Sequence, residues 1–154
     1  MKKVYVGKNA FGKGLFSIRD VAKAEVLGIL SGKVYSWQES DQGLEDNFFM
    51  QIDWDKWLYV RAPERYLNHS CQPNAKIKNR KLVALKKISK NTEITIDYDT
   101  IDYWNKMKCY CKAKNCRKVI RGYSSLALKM RKRLEGVSDY LLERHDKIKN
   151  NLYK

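Results

Sequence analysis

The sequence lacks any long uninterrupted apolar run. No stretch approaches the roughly 18 consecutive apolar residues that a membrane-spanning helix requires, and the first eight residues lack the apolar core of a secretory signal. These absences predict a cytoplasmic protein without a membrane span, with export to a host nucleus left open as the alternative. A length of 154 residues, 44% of them hydrophobic, predicts one stand-alone domain with a packed core.

Acidic residues are scarce. The chain has 17 Asp and Glu against 32 Lys and Arg, which gives a formal net charge of +15. A positive field of this size favours polyanions such as nucleic acids as partners and disfavours basic peptide tails. The alternative is that the lysines have no binding role, since they are scattered and no block of five like charges occurs.

Cysteine is used only four times. Without a signal peptide, a reducing compartment favours metal binding or catalysis over disulfides. Three of the cysteines fall within eight residues in a Cys-x-Cys-x4-Cys pattern, which is one ligand short of a closed structural zinc site. Cys71 supplies the fourth ligand by count; its alternative role is that of a catalytic nucleophile.

The polar stretch 65–74, which reads RYLNHSCQPN, is the densest group of chemically active side chains in the chain. It lies between two segments with strand character, 48–60 and 75–84. Taken singly, Asn68 and Asn74 suit turns, and His69 suits a structural role. Such density of amide, imidazole and thiol groups nevertheless predicts a site.

Three further motifs accompany this stretch. Residues 93–98, EITIDY, form an apolar strand that ends in a tyrosine, and the Cys-x-Cys pattern follows at 109–116. Near the amino terminus, Gly12-Lys13-Gly14 would allow a ligand to approach the backbone closely, although two glycines also suit a simple hairpin turn. No third glycine opens a helix, which excludes the dinucleotide-binding fingerprint.

The four motifs, in this order, resemble those of SET-domain protein lysine methyltransferases with a post-SET zinc-binding segment, and the resemblance covers roughly residues 3–122. It implies a mainly β (α+β) fold of several small sheets with a pseudoknot-like crossing, in which the segment near Tyr98 passes the loop of Asn68 and His69. We expect a catalytic domain over 1–108, a post-SET zinc segment over 109–122 and a basic helical tail over 123–154.

The resemblance also implies roles for individual residues. Tyr98 would be the catalytic tyrosine, with its hydroxyl near the transferring methyl group and the amine. The expected contacts to the cofactor, S-adenosylmethionine, come from Gly12, Lys13, Gly14, Tyr66, Asn68, His69 and Tyr98. One structural zinc ion would be bound by Cys71, Cys109, Cys111 and Cys116.

The expected substrate channel departs from the family pattern at two of its four positions. Leu30 stands where the family has a tyrosine, and Ile96 stands where an aromatic residue often lies; Tyr66 and Tyr98 complete the channel. Because both departures bear on how the amine is held, the sequence does not predict whether one, two or three methyl groups are added.

The resulting prediction is methyl transfer from S-adenosylmethionine to a lysine ε-amine of a protein, such as a histone or another chromatin-associated protein. The alternative is a catalytically silent, zinc-stabilised module that binds protein or nucleic acid. A purely structural basic DNA-binding protein is a third reading, which rests on charge alone. The acidic segment 37–47 is predicted to contact a basic substrate, or to form only a surface loop or short helix.

Local patterns predict strands over most of the first 100 residues, with hairpins across Trp54-Asp55-Lys56 and Asn79-Arg80. The tail instead shows helical spacing, with Ser124 or Ser125 as a cap, Gly136 as a break and Ser138 as a second cap. This tail has 11 basic and four acidic residues over 117–154. It suits a packing helix, a partner or nucleic-acid helix, or a homodimer contact.

Overall fold

The computed structural model describes residues 2–40 and 48–149. These ranges form small sheets and short helices: β1 (Val4–Asn9), β2 (Gly12–Ser17), β3 (Val26–Ile29), β4 (Gly32–Tyr35), α1 (Trp37–Ser40), β5 (Phe49–Asp53), β6 (Lys56–Val60), β7 (Asn68–His69), β8 (Ala75–Lys78), β9 (Lys81–Ala84), β10 (Thr95–Ile96), β11 (Met107–Lys108), β12 (Val119–Ile120), α2 (Leu128–Arg131) and α3 (Asp139–Lys149). The predicted mainly β architecture is confirmed. Within the described ranges, no helix is long and apolar enough to cross a membrane.

The amino-terminal hairpin carries the Gly-x-Gly motif. β1 pairs with β2 in antiparallel register, with Gly7 opposite Gly14 and Asn9 opposite Gly12. The alternative in which Gly12 and Gly14 form the hairpin turn itself is therefore wrong, because the strands continue until only Ala10 and Phe11 remain between them. This tighter hairpin places Gly14 inside a paired strand.

Two three-stranded antiparallel sheets form the body, in the orders β3-β9-β8 and β4-β6-β5. Both predicted hairpins are confirmed. In the second, Lys78 pairs with Lys81 across Asn79 and Arg80, whose φ angles of 49° and 61° are left-handed. Consecutive left-handed residues give the two-residue turn whose twist matches that of the flanking strands.

A short parallel pair joins the two central motifs. β7 pairs with β10, with Asn68 opposite Thr95 and His69 opposite Ile96. The segment before Tyr98 therefore lies beside Asn68 and His69, as the predicted crossing requires. The strand ends earlier than predicted, because Tyr98 begins a 3-10 helix (Tyr98–Thr100) that the Asp97 carboxylate caps by accepting from the Asp99 N–H at 3.1 Å.

The main core lies between these sheets and buries apolar side chains from eight of the twelve described strands. Leu15, Leu30, Leu58, Leu82 and Ile96 are completely buried there. Of the acidic residues predicted to contact substrate, only Glu39 lies in a described element, helix α1. Asp41, Glu45 and Asp46 lie outside the described residues.

The carboxyl-terminal segment is helical, as predicted, but its caps differ. Ser124 and Ser125 fall in a 3-10 helix (Tyr123–Ser125), and α2 begins later, after Ala127. The predicted serine cap is therefore wrong, since the Ser124 hydroxyl donates to the Tyr103 carbonyl at 2.7 Å. The predicted break at Gly136, whose φ is 78°, is confirmed, and Ser138 immediately precedes α3.

Helix α3 packs against the body of the same chain. Leu141 is completely buried in a cluster with Tyr103 and Tyr123, and the Tyr140 hydroxyl donates to the Ile101 carbonyl. Ile148, an apolar residue that follows the helical spacing of the tail, remains 41% exposed. The packing role is thus present in the structure, whereas dimerisation through this helix stays a prediction.

Candidate active site and metal centre

Asn68 connects two of the sequence motifs through its side-chain amide. The amide Nδ2 donates to the Lys13 carbonyl at 3.0 Å and to Oε1 of Glu93 at 2.8 Å. The same Glu93 oxygen accepts from Asn9 Nδ2 at 2.6 Å, on the strand that pairs with the Gly-x-Gly strand. Glu93 therefore organises this side of the site, a role that sequence reasoning missed although Glu93 opens the EITIDY motif.

Gly14 lies directly beneath that carboxylate. A Cβ atom at this position would overlap Oε1 of Glu93 and would lie 3.1 Å from Asn9 Nδ2. The glycine is required here because of this close approach, since its backbone is paired in a regular strand. The structure thus links the Gly-x-Gly motif to Asn68 through one half-buried, hydrogen-bonded carboxylate.

A cleft of about 930 Å³ opens beside this group, within the size range of small-molecule sites. Lys13, Tyr66, Asn68 and Tyr98 line it, which brings together four of the predicted cofactor contacts. Aromatic rings form much of the remaining wall. Phe48 packs edge-on against Tyr66 with centroids 5.9 Å apart, and the Lys13 ammonium lies 5.2 Å from the Tyr66 ring.

The other predicted site residues lie outside the lining of this cleft in the described parts of the chain. Gly12, Gly14 and His69 do not line it, although each is next in the chain to a lining residue, Lys13 or Asn68. Leu30 and Ile96 are both completely buried in the core, and Leu30 lines a second cavity of about 520 Å³. Their assignment to the substrate channel stays a prediction.

Tyr98 is held by three contacts. Its hydroxyl donates to the Leu67 carbonyl at 2.8 Å, its backbone N–H donates to His69 Nδ1 at 3.1 Å, and its ring lies 5.3 Å from the His69 ring. Burial raises the pKa of Tyr98 to about 12, and the charge of Glu93 adds to the increase. The phenol is therefore protonated at neutral pH, which suits orientation of a substrate better than proton abstraction.

The cysteines from two distant segments form one cluster. The Cys71 Sγ atom lies 3.7 Å from Cys109 Sγ, and Cys116 Sγ lies 3.7 Å from the same atom. Cys111 Sγ accepts from the Cys71 N–H at 3.4 Å. Two thiolates bound to one zinc ion at about 2.3 Å with a tetrahedral angle lie roughly 3.8 Å apart, so the cluster fits a zinc ion.

His69 also belongs to this group, since its ring nitrogen lies within 4.8 Å of the Cys71, Cys109 and Cys111 sulfurs. Burial lowers its pKa to about 4, which keeps the imidazole neutral. Because Nδ1 accepts from the Tyr98 N–H, the proton resides on Nε2, which faces Cys71 Sγ at 3.3 Å. In this tautomer Nε2–H of His69 is a hydrogen-bond donor towards the Cys71 sulfur, which leaves the four cysteine sulfurs as the candidate metal ligands.

Burial and nearby N–H groups shift the pKa values of three of the four thiols. Burial raises the pKa of Cys71 well above its usual range and raises the pKa of Cys109 to about 11. At Cys111 burial acts in the same direction, but N–H groups of Cys71 and Ala113 outweigh it and lower the pKa to about 7. A set of buried thiolates needs a compensating cation, which a metal ion provides.

Comparison with known proteins connects these features to one family. The family model for the SET domain matches residues 12–99, which is more than half of the chain. The chain is 30% identical over 139 residues to human histone-lysine N-methyltransferase 2D and 42% identical over 67 residues to the Drosophila melanogaster histone-lysine N-methyltransferase Set2. It is 27% identical over 126 residues to an Arabidopsis thaliana protein assigned as a histone-lysine N-methyltransferase.

A crystal structure of a Plasmodium falciparum protein assigned as a histone methyltransferase matches with a TM-score of 0.51 and 26% identity, over 62% of this chain and 96% of that one. The sequence matches to the Arabidopsis, human and Drosophila proteins cover 70%, 75% and 38% of this chain, respectively. They cover 36%, 2% and 3% of those proteins, so the chain spans only a small part of the relatives.

Proposed function

The chain belongs to the SET-domain family, and from this premise we propose that it transfers a methyl group from S-adenosylmethionine to a lysine ε-amine of a protein. The observation that carries the proposal is that Tyr98 and Asn68, from separate motifs, line one cleft. The names of the relatives support a lysine methyltransferase in general and a histone as the first substrate to test.

S-adenosylmethionine, when bound, would supply a methyl group on a sulfonium: attack of a neutral amine on the methyl carbon would form the N–C bond while the S–C bond breaks and the thioether leaves. The Asn68 amide and the backbone of the Gly12–Gly14 strand would hold the donor, at the point where Lys13 and Glu93 already fix Asn68. Tyr66 and Phe48 would cover it with apolar ring surface. These residues contribute orientation, which in enzymes supplies much of the rate.

The lysine substrate must lose its proton before it can attack, since its ordinary pKa is about 10.4. Removal of the amine from water into the cleft disfavours the ammonium form and so assists deprotonation. The Tyr98 hydroxyl donates a hydrogen bond to the Leu67 carbonyl, so the lone pairs of the phenol oxygen can accept a hydrogen bond from the incoming amine. Tyr98 therefore orients the nucleophile, while the amine proton passes to solvent.

We further propose that Cys71, Cys109, Cys111 and Cys116 bind one structural zinc ion. Hydrogen bonds to sulfur from the N–H groups of Arg117 and Lys118, at 3.3 and 3.4 Å, support a thiolate cluster. A zinc ion there would connect the post-SET segment to Cys71, two residues after the Asn68–His69 strand. It would act by holding structure and would take no part in methyl transfer.

The experiment measures transfer of labelled methyl from S-adenosylmethionine to recombinant histones, with the zinc-loaded protein. The Tyr98→Phe variant should reduce kcat about 10²-fold, since one positioned polar contact at the reacting centre is lost. Tyr110→Phe is the matched control, because Tyr110 is 63% exposed. A reaction without added histone measures self-methylation of the lysine-rich surface.

Two results would contradict the proposal. Equal transfer by Tyr98→Phe and Tyr110→Phe would remove Tyr98 from the reaction. Cofactor binding by the wild type without any transfer to histones or to a cell extract would favour the silent zinc-stabilised binding module instead.

The basic residues support nucleic acid as an additional partner. Residues 75–92 contain seven lysines and arginines and no acidic residue. The hairpin of β8 and β9 and Arg131, the last residue of α2, bring basic side chains together around the second cavity. We define the basic face as Lys76, Lys78, Arg80, Lys81 and Arg131. Within the described chain none of these five has a carboxylate at ion-pair distance.

Anisotropy with a short DNA duplex at several salt concentrations tests this partner. Changing Lys78, Arg80 and Lys81 to alanine should lower affinity about tenfold or more and reduce the salt slope by about 2 to 3, if each contacts a phosphate. The control changes three exposed lysines elsewhere and removes the same charge: Lys2, Lys8 and Lys33. Equal losses in both variants would mean that net charge alone attracts the DNA.

A further inference from the structure

Arg117, the residue after the last cysteine, lies between two buried carboxylates. Its guanidinium donates to both oxygens of Asp97, at 2.7 and 2.5 Å, and lies 2.8 Å from Oδ2 of Asp99. The side chains of Asp97 and Asp99 are only 3% and 0% exposed, and that of Arg117 is 13% exposed. These two carboxylates are the residues on either side of Tyr98.

Both carboxylates also hold backbone. Asp97 caps the 3-10 helix that begins at Tyr98. Oδ1 of Asp99 accepts from the N–H groups of Arg121 and Gly122, at 2.9 and 2.7 Å. The turn that carries Tyr98 is thereby attached on both sides to the segment that follows the cysteines.

An arginine is the side chain that this arrangement requires. A guanidinium is planar and bonds one carboxylate with two parallel N–H groups, and here Nη2 of the same fork also lies at ion-pair distance from the second carboxylate. A lysine carries the same charge but bonds as a point charge without that fork. Two carboxylates this deeply buried would repel each other without the cation between them.

The cysteine cluster is connected to the same point. The backbone N–H of Arg117 donates to Cys71 Sγ at 3.3 Å, so one residue contacts the cluster through its main chain and the Tyr98 turn through its side chain. Direct contacts of Arg117 therefore join the cysteine-bearing segment to the turn that carries Tyr98.

We propose that Arg117 is a positioning residue that fixes the Tyr98 turn to the cysteine-bearing segment, so that the tyrosine reaches its working orientation only when this segment is docked. This role rests on the proposed methyl transfer. It adds a residue that touches neither the lysine nor the methyl donor and that acts through Asp97 and Asp99.

The test compares Arg117→Lys with Arg121→Lys, an identical change four residues later at an exposed side chain. Arg117→Lys should bind one zinc ion and keep its KM for a histone peptide within about threefold, while kcat falls about 10- to 100-fold, the loss typical of a small misplacement. Amide hydrogen exchange at Asp99, Arg121 and Gly122 should accelerate at least tenfold, with no change in the β8–β9 hairpin.

The outcomes separate this role from the proposed function. If the wild type transfers no methyl group, the proposed function fails, whereas amide exchange still tests the attachment. Equal kcat and equal exchange in the two variants would overturn the inference. Loss of zinc with faster exchange throughout the chain would also overturn it, since Arg117 would then be a general structural residue.

A second variant keeps the test valid if Arg117→Lys does not fold. Asp99→Asn removes one of the two charges while its side-chain oxygen can still accept from Arg121 and Gly122. We expect kcat to fall about threefold or more with zinc and KM retained. An unchanged kcat in that variant would contradict the inference.

Discussion

Docking of helix α3 predicts a large difference between two adjacent leucines. Leu141 is completely buried against Tyr103 and Tyr123, whereas Leu142 is 42% exposed. Truncation of a fully buried leucine to alanine typically costs 2.7 to 5.0 kcal/mol, because transfer energy is lost and a cavity remains. We therefore expect Leu141→Ala to lower the free energy of unfolding by about 3 kcal/mol, and Leu142→Ala by less than about 1 kcal/mol.

Urea unfolding of the zinc-loaded protein measures both values, with unchanged m-values as the sign that only stability has changed. For a chain of this length, a loss of about 3 kcal/mol corresponds to a decrease in Tm of roughly 6 to 12 °C. Equal and small losses in both variants would refute the packing of α3 on the body. Such losses would instead favour the hypothesis that the tail helix binds a partner or a second copy of the chain.

Three further predictions concern the site. Gly14→Ala should displace the Glu93 carboxylate from Asn68 and weaken S-adenosylmethionine binding about tenfold. Calorimetry would measure this affinity and should show little change in Tm. Unaltered affinity would contradict the role of Glu93. Metal analysis of purified protein should give one zinc ion per chain, and a chelator should lower Tm. Cys116→Ala should weaken zinc binding at least 100-fold. His69→Gln should weaken it about tenfold or less, since His69 donates to the sulfur of Cys71 and is not itself a proposed ligand. Equal losses in the two variants would make His69 a ligand.

Local pattern was sufficient where neighbouring residues determine the structure. The hairpin across Asn79 and Arg80 was predicted with its bounds, because alternation and turn chemistry act within a few residues. The gathering of the four cysteines was also predictable, since a zinc site made only of cysteines needs all four thiols of this chain. Both predictions depend only on residue types and their spacing along the chain.

Tertiary contacts decided the features that the sequence did not reveal. Ser124 fails to cap a helix because its hydroxyl is bound to the Tyr103 carbonyl, 21 residues away. Arg117 pairs with carboxylates 20 and 18 positions earlier, and no local signal marks that pairing. The basic residues look scattered in sequence, yet the fold brings several of them to one face.

Mass spectrometry of a histone incubated with S-adenosylmethionine and the zinc-loaded protein tests the central claim most directly. We predict methylated lysine with the wild type and with Tyr110→Phe, and strongly reduced methylation with Tyr98→Phe. The contradicting result is an unmodified set of lysines in the histone and in a cell extract, with S-adenosylmethionine bound by the wild type.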